Sequence, residues 1–277
     1  MTSPSLQHAS ESFAANRAVG HVRLEAFAAD GITRRGRVQE EGSLRIRFPG
    51  APAQMVEGVI VNTAGGIAGG DRFAVTAQLG ENAGVTITTA AAEKVYRSLG
   101  PDAIFDVRLA AAAGARLFWM PQETILFDEA RLRRSIEIDL EEGAEFVLVE
   151  MLVFGRTAMG ETVRSGSLFD RWRLRRGGKL IFAETTRLDG AIAEKLGARA
   201  VAGGGVAVAT ILAVPADDGM AEKVRELCSA LRCEVAISAW NGFAVVRLLA
   251  AEASLLRQDL IAVLTILGAP PPRLWLN

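Results

Sequence analysis

The chain has very few of the side chains that bind metals tightly. Its 277 residues include only two cysteines, Cys228 and Cys233, and two histidines, His8 and His21. Tight zinc sites need several such ligands at set spacings, so none is expected here. Both histidines lie near the N-terminus, which argues against a Ser-His-Asp or Cys-His catalytic arrangement. The cysteines are interpreted as ordinary buried thiols, with a disulfide as the alternative.

The sequence also lacks a charge excess and a long apolar run. Its 31 basic and 32 acidic residues give a net charge of −1, which favours neither nucleic acid nor an anionic membrane as a partner. The longest apolar runs, such as Val206–Val214, are about half as long as a membrane-spanning helix requires. The N-terminus lacks a positive region followed by an apolar stretch, so no secretory signal is expected. The expected location is therefore the cytoplasm.

A glycine-rich loop is the most unusual local feature. Residues 65–71 read GGIAGGD, and glycine permits positive φ and close backbone approach. The loop is not a nucleotide-binding motif, because Asp71 stands where the P-loop has lysine and the spacing of the dinucleotide fingerprint is absent. A carboxylate at this point would repel phosphate and suits a cation or a positively charged partner.

The first two thirds of the chain read as β structure. Short runs of Val, Ile, Phe and Thr alternate with polar residues from about residue 20 to 200. Gly84, Gly114, Gly143 and Gly178 recur in turns at spacings of 30, 29 and 35 residues. The repeat predicts β-hairpins stacked into an elongated, mainly β body.

The last third has a different pattern, which predicts a β-α-β-β-α segment with two helices. Helical stripes surround Val224 and Leu260, and a hairpin is predicted across Asn241-Gly242, a favoured turn dipeptide. No linker separates the two parts. The expected organisation is a disordered tail at residues 1–18 and one domain at 19–277, divided into a β body to about residue 200 and a mixed tail from about 201.

Carboxylates occur where a buried strand should be apolar. Residues i and i+2 share a face of a strand, so Glu150 shares its face with Phe146, Leu148, Leu152 and Phe154. The opposite face of this segment is apolar too, which predicts a strand buried on both sides. A carboxylate there needs a partner, internal water or a task.

The same pattern recurs at other repeats. Glu93 and Glu123 each lie nine residues after a repeat glycine, and Glu150 lies seven after one, so all three have the same parity. Glu184 lies six after Gly178 and would point the other way unless a bulge intervenes. Two interpretations are open. The carboxylates could form structural ion pairs, or they could line a polar interior passage for a divalent ion.

Arginines bear on both interpretations. Arg97, Arg156 and Arg187 are the candidate ion-pair partners for these carboxylates. The run from Arg131 to Arg134 is interpreted as a solvated turn and the start of a strand. Nickel binds imidazole and thiolate more tightly than carboxylate, so an oxygen-lined path would let Ni²⁺ move on rather than store it.

Four sequence blocks occur together in an order that identifies a family. With the GGIAGGD loop, the segments KVYRS (94–98), PQETI (121–125) and FGR (154–156) resemble the urease accessory protein D family, called H in some species. The C-terminal PRLW (272–275) resembles that family's ending. Ala68 and Met159 differ from the residues expected at those positions, and both differences are tolerable.

The resemblance implies a non-catalytic urease maturation factor. Such a protein bridges apo-urease to the helical accessory protein F and the GTPase G, with two copies in the accessory complex, and passes nickel through an internal tunnel. It needs no tightly bound cofactor, since the nickel is transient. The transient nickel path is predicted to involve Asp71, Glu93, Glu123, Glu150 and Glu184. The interface and structural motif positions carried over from the family are Gly65, Gly66, Gly69, Gly70, Tyr96, Arg97, Gln122, Gly155, Arg156 and Glu161.

Two other functional classes are open on the sequence. A carboxylate pair such as Glu123 and Glu150 could serve as acid and base of a hydrolase if their pKa values differed. A purely structural β binding module is the third interpretation.

Overall fold

The structure, a computed structural model, describes residues 17–156 and 159–276, and strands dominate it. The strands are β1 (Val19–Ala29), β2 (Ile32–Gly42), β3 (Leu44–Arg47), β4 (Met55–Asn62), β5 (Arg72–Leu79), β6 (Gly84–Thr89), β7 (Glu93–Val95), β8 (Ala103–Ala111), β9 (Arg116–Trp119), β10 (Thr124–Leu126), β11 (Arg131–Leu140), β12 (Glu145–Phe154), β13 (Ser165–Arg176), β14 (Lys179–Ala191), β15 (Ala207–Val214), β16 (Glu234–Trp240) and β17 (Phe243–Ala250). The helices are α1 (Ile192–Gly197), α2 (Asp218–Cys228) and α3 (Ala253–Ile266), and a 3₁₀ helix spans Arg273–Leu276. The mainly β prediction is confirmed.

The strands form two stacked sheets. The seven-stranded sheet has the order β14-β13-β11-β8-β5-β1-β2, and the ten-stranded sheet has the path β16-β17-β15-β12-β9-β6-β4-β3 with β7 and β10 attached beside it. Neighbouring strands in the middle of both sheets are parallel, as in β5·β8, β8·β11, β6·β9 and β9·β12. The chain therefore winds between the sheets in successive coils.

The predicted repeat is present, but its unit is a coil rather than a hairpin. Gly84, Arg116 and Glu145 lie side by side in β6, β9 and β12, so the repeats at Gly114 and Gly143 stack in register and Gly84 is offset from them by two residues. The strand before each of these turns belongs to the other sheet. Only the turn at Gly178 closes an antiparallel hairpin, between β13 and β14. Strand periodicity is the same in both arrangements, so the sequence pattern does not distinguish them.

The C-terminal segment continues the ten-stranded sheet. Strand β15 pairs antiparallel with β12, and the predicted β-α-β-β-α order is present from β15 to α3. The predicted hairpin is confirmed between β16 and β17, with Asn241 and Gly242 both at positive φ, as its turn type requires. Helix α1 was not predicted. Residues 1–16 of the predicted disordered tail lie outside the described part, and the single-domain assignment stays a prediction.

Two apolar layers hold the fold together. One lies between the sheets and includes Phe73, Leu109, Leu117 and Phe146. The other lies between the outer face of the ten-stranded sheet and helices α2 and α3. Strand β12 contributes to both, as predicted from its two apolar faces. None of the described helices has both the length and the apolar character required to cross a membrane.

Candidate functional site

A buried cluster of charged side chains lies between the two sheets. Arg134 of β11 bonds to Glu150 of β12 through Nη1 and to Asp170 of β13 through Nε and Nη2. All three side chains are about 95% buried. Because β11 and β13 belong to one sheet and β12 to the other, the contact between Arg134 and Glu150 is an ion pair that joins the sheets.

Two tryptophans complete the hydrogen bonding of the carboxylates. Trp119 donates Nε1–H to Glu150 Oε1 at 2.8 Å, and Trp172 donates Nε1–H to Asp170 Oδ1 at 3.0 Å. Trp119 lies in β9, beside β12, and Trp172 lies two residues after Asp170 on the same face of β13. Each carboxylate is thus held by a donor from its own sheet, in addition to Arg134.

The cluster has more acid than base. One guanidinium faces two carboxylates, so full ionisation leaves one negative charge among side chains that are about 95% buried. Burial raises the pKa of Glu150, and the attraction of Arg134 does not fully offset it. Burial opposes the charge of Arg134, but Asp170 and Glu150 together hold the pKa of Arg134 above its ordinary value. The arrangement favours uptake of a proton or another cation.

Two cavities meet at this cluster. The larger cavity has a volume of about 580 Å³ and lies between the sheets at the end formed by β13, β14, β15 and β17. The smaller cavity, of about 30 Å³, lies on the side of β7 and β10. Arg134 and Glu150 line both. Their ion pair therefore separates the two spaces.

Glu93 lies in the smaller cavity, as its predicted parity requires. Its carboxylate accepts a hydrogen bond from Asn62 Nδ2 at 3.0 Å. Burial raises the pKa of Glu93, and the Asn62 hydrogen bond lowers it by less. Glu93 and Glu150 thus line the same cavity.

Glu184 lines the larger cavity because a bulge corrects its parity. Leu174 pairs with Phe182 and Arg175 pairs with Leu180, so the register skips Ile181 in β14. The extra residue turns Glu184 inward, opposite Trp172. Its carboxylate bonds to Arg247 of β17 at 2.7 Å, at the solvent side of the cavity.

Glu123 does not point with Glu93 and Glu150, contrary to the prediction. The chain leaves the ladder after Trp119 and re-enters it at Thr124, and the break includes Pro121, which has no N–H to donate. Gln122 and Thr124 line the smaller cavity instead. Glu123 bonds to Arg257 of α3, on the outer side of the sheet.

Asp71 is also displaced from the predicted path. Its Oδ1 accepts the N–H of Ala18 at 2.8 Å, and its Oδ2 accepts the N–H of Ala68 at 2.7 Å. The side chain is buried and lines neither cavity. Asp71 therefore fixes the end of the glycine loop and the start of β5. The expectation that it meets a cation or a partner stays a prediction.

The glycine loop supports Tyr96. Ile67 forms a bridge with Val95 of β7, and Tyr96 Oη donates to the carbonyl of Gly65 at 2.8 Å. A Cβ on Gly66 would come within 2.5 Å of the Tyr96 ring, and one on Gly69 within 1.9 Å of Ser98 Oγ. This close packing explains why positions 66 and 69 are glycine. Gly65 and Gly70 have φ of +79° and +91°, which explains the others.

The remaining motif residues lie beside Tyr96. The Tyr96 ring meets Phe127 edge-on, with centroids 5.2 Å apart, and the Arg156 guanidinium lies 4.2 Å above the same phenyl ring. Glu161 holds Arg156 with two hydrogen bonds, of 2.8 and 3.1 Å. Gly155 has φ of +88° and packs against the Glu161 carbonyl. We call Tyr96, Phe127, Arg156 and Glu161 the motif surface.

The predicted ion-pair partners are not the ones found for the path carboxylates. Arg97 pairs with Glu129, Arg156 with Glu161, and Arg187 with Asp189. Arg134 is buried, so its assignment to a solvated turn is wrong. Gln122 accepts from Arg257 and donates to the Thr89 carbonyl, which places it between α3 and the cavity wall.

The metal-binding potential of the described residues is weak. Residues 17–156 and 159–276 contain no group of three or more His, Cys, Asp or Glu side chains placed to hold a metal ion. Cys228 and Cys233 are free thiols, of which Cys233 is buried, as predicted, and Cys228 is only half-buried. Burial, and then Asp259, raises the pKa of Cys233 to about 12, so this thiol is a poor metal ligand at neutral pH.

The comparisons with known proteins agree along nearly the whole chain. The family model described as UreD urease accessory protein matches residues 18–276. A relative from Rhodopseudomonas palustris (strain BisA53), named urease accessory protein UreD, is 58% identical over 265 residues, covering 96% of this chain and 93% of its own. A UreD from Bradyrhizobium diazoefficiens is 55% identical over 268 residues, covering 97% of each.

Proposed function

The chain belongs to the UreD family of urease accessory proteins, and on that premise we propose that it passes nickel to apo-urease through its interior. The observation that carries the proposal is the alignment of Glu93, Glu150 and Glu184 along two cavities that meet at one ion pair. Its role in urease maturation follows from the family. The route is our proposal.

The lining of the cavities suits a cation in transit. Carboxylates outnumber guanidinium groups along it: the acids are Glu93, Glu150, Asp170, Glu184 and Glu234, and the bases are Arg134 and Arg247. Oxygen ligands hold Ni²⁺ more weakly than imidazole or thiolate. Because the described residues contain no three-ligand metal group, the ion would meet carboxylates singly or in pairs and would not be retained.

The motif surface is the proposed docking region for partner proteins. Tyr96 is 37% exposed, and Leu99 beside it is 84% exposed. Tyrosine and arginine held in fixed positions are typical of interface hot spots. Partners at this surface would be apo-urease or the accessory proteins F and G, with two copies of this chain in the accessory complex and the cytoplasm as the site of action.

The proposal includes no catalytic step in this chain. The carboxylate pair given as an example for the hydrolase alternative does not share a site, because Glu123 bonds to Arg257 on α3 while Glu150 bonds to Arg134 between the sheets. The GTPase partner would supply the hydrolysis.

Activation of apo-urease tests the path. We expect Glu93→Gln, Glu150→Gln and Glu184→Gln each to lower the activation rate several-fold while the partners still co-purify. Glu222→Gln, an exposed position on α2, is the matched control and should leave the rate unchanged. Full activation by all three path variants would overturn the proposal, and loss of assembly would make these residues structural.

A second set of variants tests the motif surface. Lysine cannot form the two parallel bonds that Arg156 makes with Glu161, so Arg156→Lys should weaken co-purification and lower activation in proportion. Arg187→Lys, at an exposed ion pair, is the control. The partner protein that is lost identifies the one bound at this surface. Unchanged co-purification with every partner would remove the surface from the proposal.

Turnover of a substrate by the isolated full-length chain would favour the hydrolase alternative. Failure of the chain to join any urease complex would support the binding-module alternative.

A further inference from the structure

We propose that Arg134 and Glu150 form a gate between the two cavities and that an arriving divalent cation opens it by taking Glu150 away from Arg134. The inference rests on the proposed function, since it describes how the same route is regulated. Its starting point is that these two residues are the ones that line both cavities. A cation cannot pass between them while their ion pair is closed.

The two halves of the gate are anchored separately. Asp170 holds Arg134 through Nε and Nη2, and Trp172 fixes Asp170 in turn. Trp119 holds Glu150 within the ten-stranded sheet. Only Nη1 of Arg134 reaches Glu150. Opening therefore breaks one contact, and neither side chain loses its other partners.

The charges in the cluster favour exchange with a cation. Asp170 alone balances Arg134, so Glu150 is the surplus negative charge when the pair separates. A divalent ion entering from either cavity finds in Glu150 a carboxylate that Arg134 can release without being left uncompensated in the interior. When the ion moves on, Arg134 returns to Glu150 and the gate closes.

Two variants that share one substitution should change metal entry in opposite directions. Asp170→Asn keeps an oxygen for Trp172 but removes the charge that balances Arg134. Arg134 then depends on Glu150 alone, and the gate should hold more tightly. The double variant Arg134→Met/Asp170→Asn removes the blocking cation together with its counter-charge, and the gate should stand open.

Quenching of tryptophan fluorescence by Ni²⁺ measures entry independently of urease activation. The full-length chain carries Trp240→Phe throughout, because Trp240 is exposed and would dominate the fast phase. The slow phase then reports the three buried tryptophans: Trp119 and Trp172, which contact the gate, and Trp275, which lies beside Arg257 away from the gate and is common to all variants. We expect Asp170→Asn to slow this phase several-fold relative to the parent, and the double variant to accelerate it several-fold.

The outcomes separate the gate from the route. Equal slow phases in all variants, or a slowing in both, would overturn the gate. If the double variant does not fold, Asp170→Asn alone decides: an unchanged or faster slow phase would overturn it. If the two gate variants shift the slow phase in opposite directions, the gate is supported. If urease activation by Glu93→Gln, Glu150→Gln and Glu184→Gln is normal in the same study, the transfer function is rejected. Impaired activation in those variants with unresponsive quenching rejects the gate alone.

Discussion

Thr124, and not Glu123, lies directly opposite Glu93 in the paired strands β7 and β10. This shift of one residue sends Glu123 to the outer face of the sheet, where it meets Arg257. The guanidinium of Arg257 also lies 5.8 Å from the centre of the Trp275 ring. Through Arg257, Glu123 therefore connects the sheet to the C-terminal PRLW segment.

Glu123 should therefore act through stability rather than through metal passage. We expect Glu123→Gln and Arg257→Met to couple by about 1 kcal/mol in a double-mutant cycle, because both side chains are four-fifths buried. Urea unfolding measures the coupling. Ni²⁺ quenching of the buried tryptophans should not change in Glu123→Gln, and additive unfolding free energies would show that the pair is unimportant.

Glu93 should make the stability of the protein depend on pH. Its pKa is raised in the folded state from an ordinary value of 4.5, so the folded protein holds this proton more tightly than the unfolded chain. The stability that this bound proton contributes is fully present below pH 4.5 and is lost as the pH rises through the folded-state pKa. Glu93→Gln cannot titrate and keeps an oxygen for Asn62.

The stability difference between Glu93→Gln and the parent should therefore shift in favour of the variant as the pH rises above 4.5, and then become constant. Urea unfolding at a series of pH values measures it. Glu222→Gln is the control for loss of an exposed charge. Parallel curves for Glu93→Gln and the parent across that range would show that burial does not perturb this group.

Gly66 should tolerate no side chain. A Cβ would lie within 2.5 Å of the Tyr96 ring and 2.9 Å of the Lys94 carbonyl, so Gly66→Ala must displace Tyr96 and should cost about 1–3 kcal/mol. Tyr96 is the only tyrosine in the chain, so ultraviolet titration of its phenol reports the displacement specifically. Gly100→Ala, with no atom within 4 Å of its Cβ, is the matched control. An unaltered phenol titration in Gly66→Ala would contradict the proposed packing.

Cys233 should be unreactive in the folded protein. With a pKa of about 12, its thiolate fraction at pH 8 is about one in ten thousand, and the side chain is buried. A thiol-specific reagent should label Cys228 first and Cys233 only on unfolding. Asp259→Asn should lower the Cys233 pKa, because the neighbouring carboxylate contributes to the shift. Rapid labelling of both thiols in the native protein would contradict the prediction.

Local periodicity predicted the environment of Glu150 but not its partner. Phe146 and Phe154 share its face in one strand, so burial follows from counting by two. The same count places Arg134 with Leu132 and Ile136, and Asp170 with Leu168 and Trp172. Applied to every strand, it would have marked all three charged side chains as buried. The contact between the sheets still depends on how the coils stack, which no local pattern encodes.

Breaks in the strands explain the other differences. The predicted parity of Glu123 assumed an unbroken strand through Pro121. The predicted role of Asp71 assumed a side chain available to ligands, whereas backbone N–H groups of Ala18 and Ala68 donate to its two oxygens. The hairpin at Asn241-Gly242 was predictable because its turn chemistry is local. Helix α1 is short and has no side-chain cap, so the sequence contains little to indicate it.

The single unpaired residue in β14 has a wider consequence. One residue inserted between Phe182 and Glu184 would preserve every acidic and basic group of the hairpin, yet it would turn Glu184 to the opposite face of the strand, whereas deletion of Ile181 would only close the bulge and leave Glu184 opposite Trp172. The number of residues in this hairpin therefore constrains its sequence more strongly than the chemistry of the individual side chains does. A substitution library would overlook that constraint, and a scan of one-residue deletions and insertions would expose it.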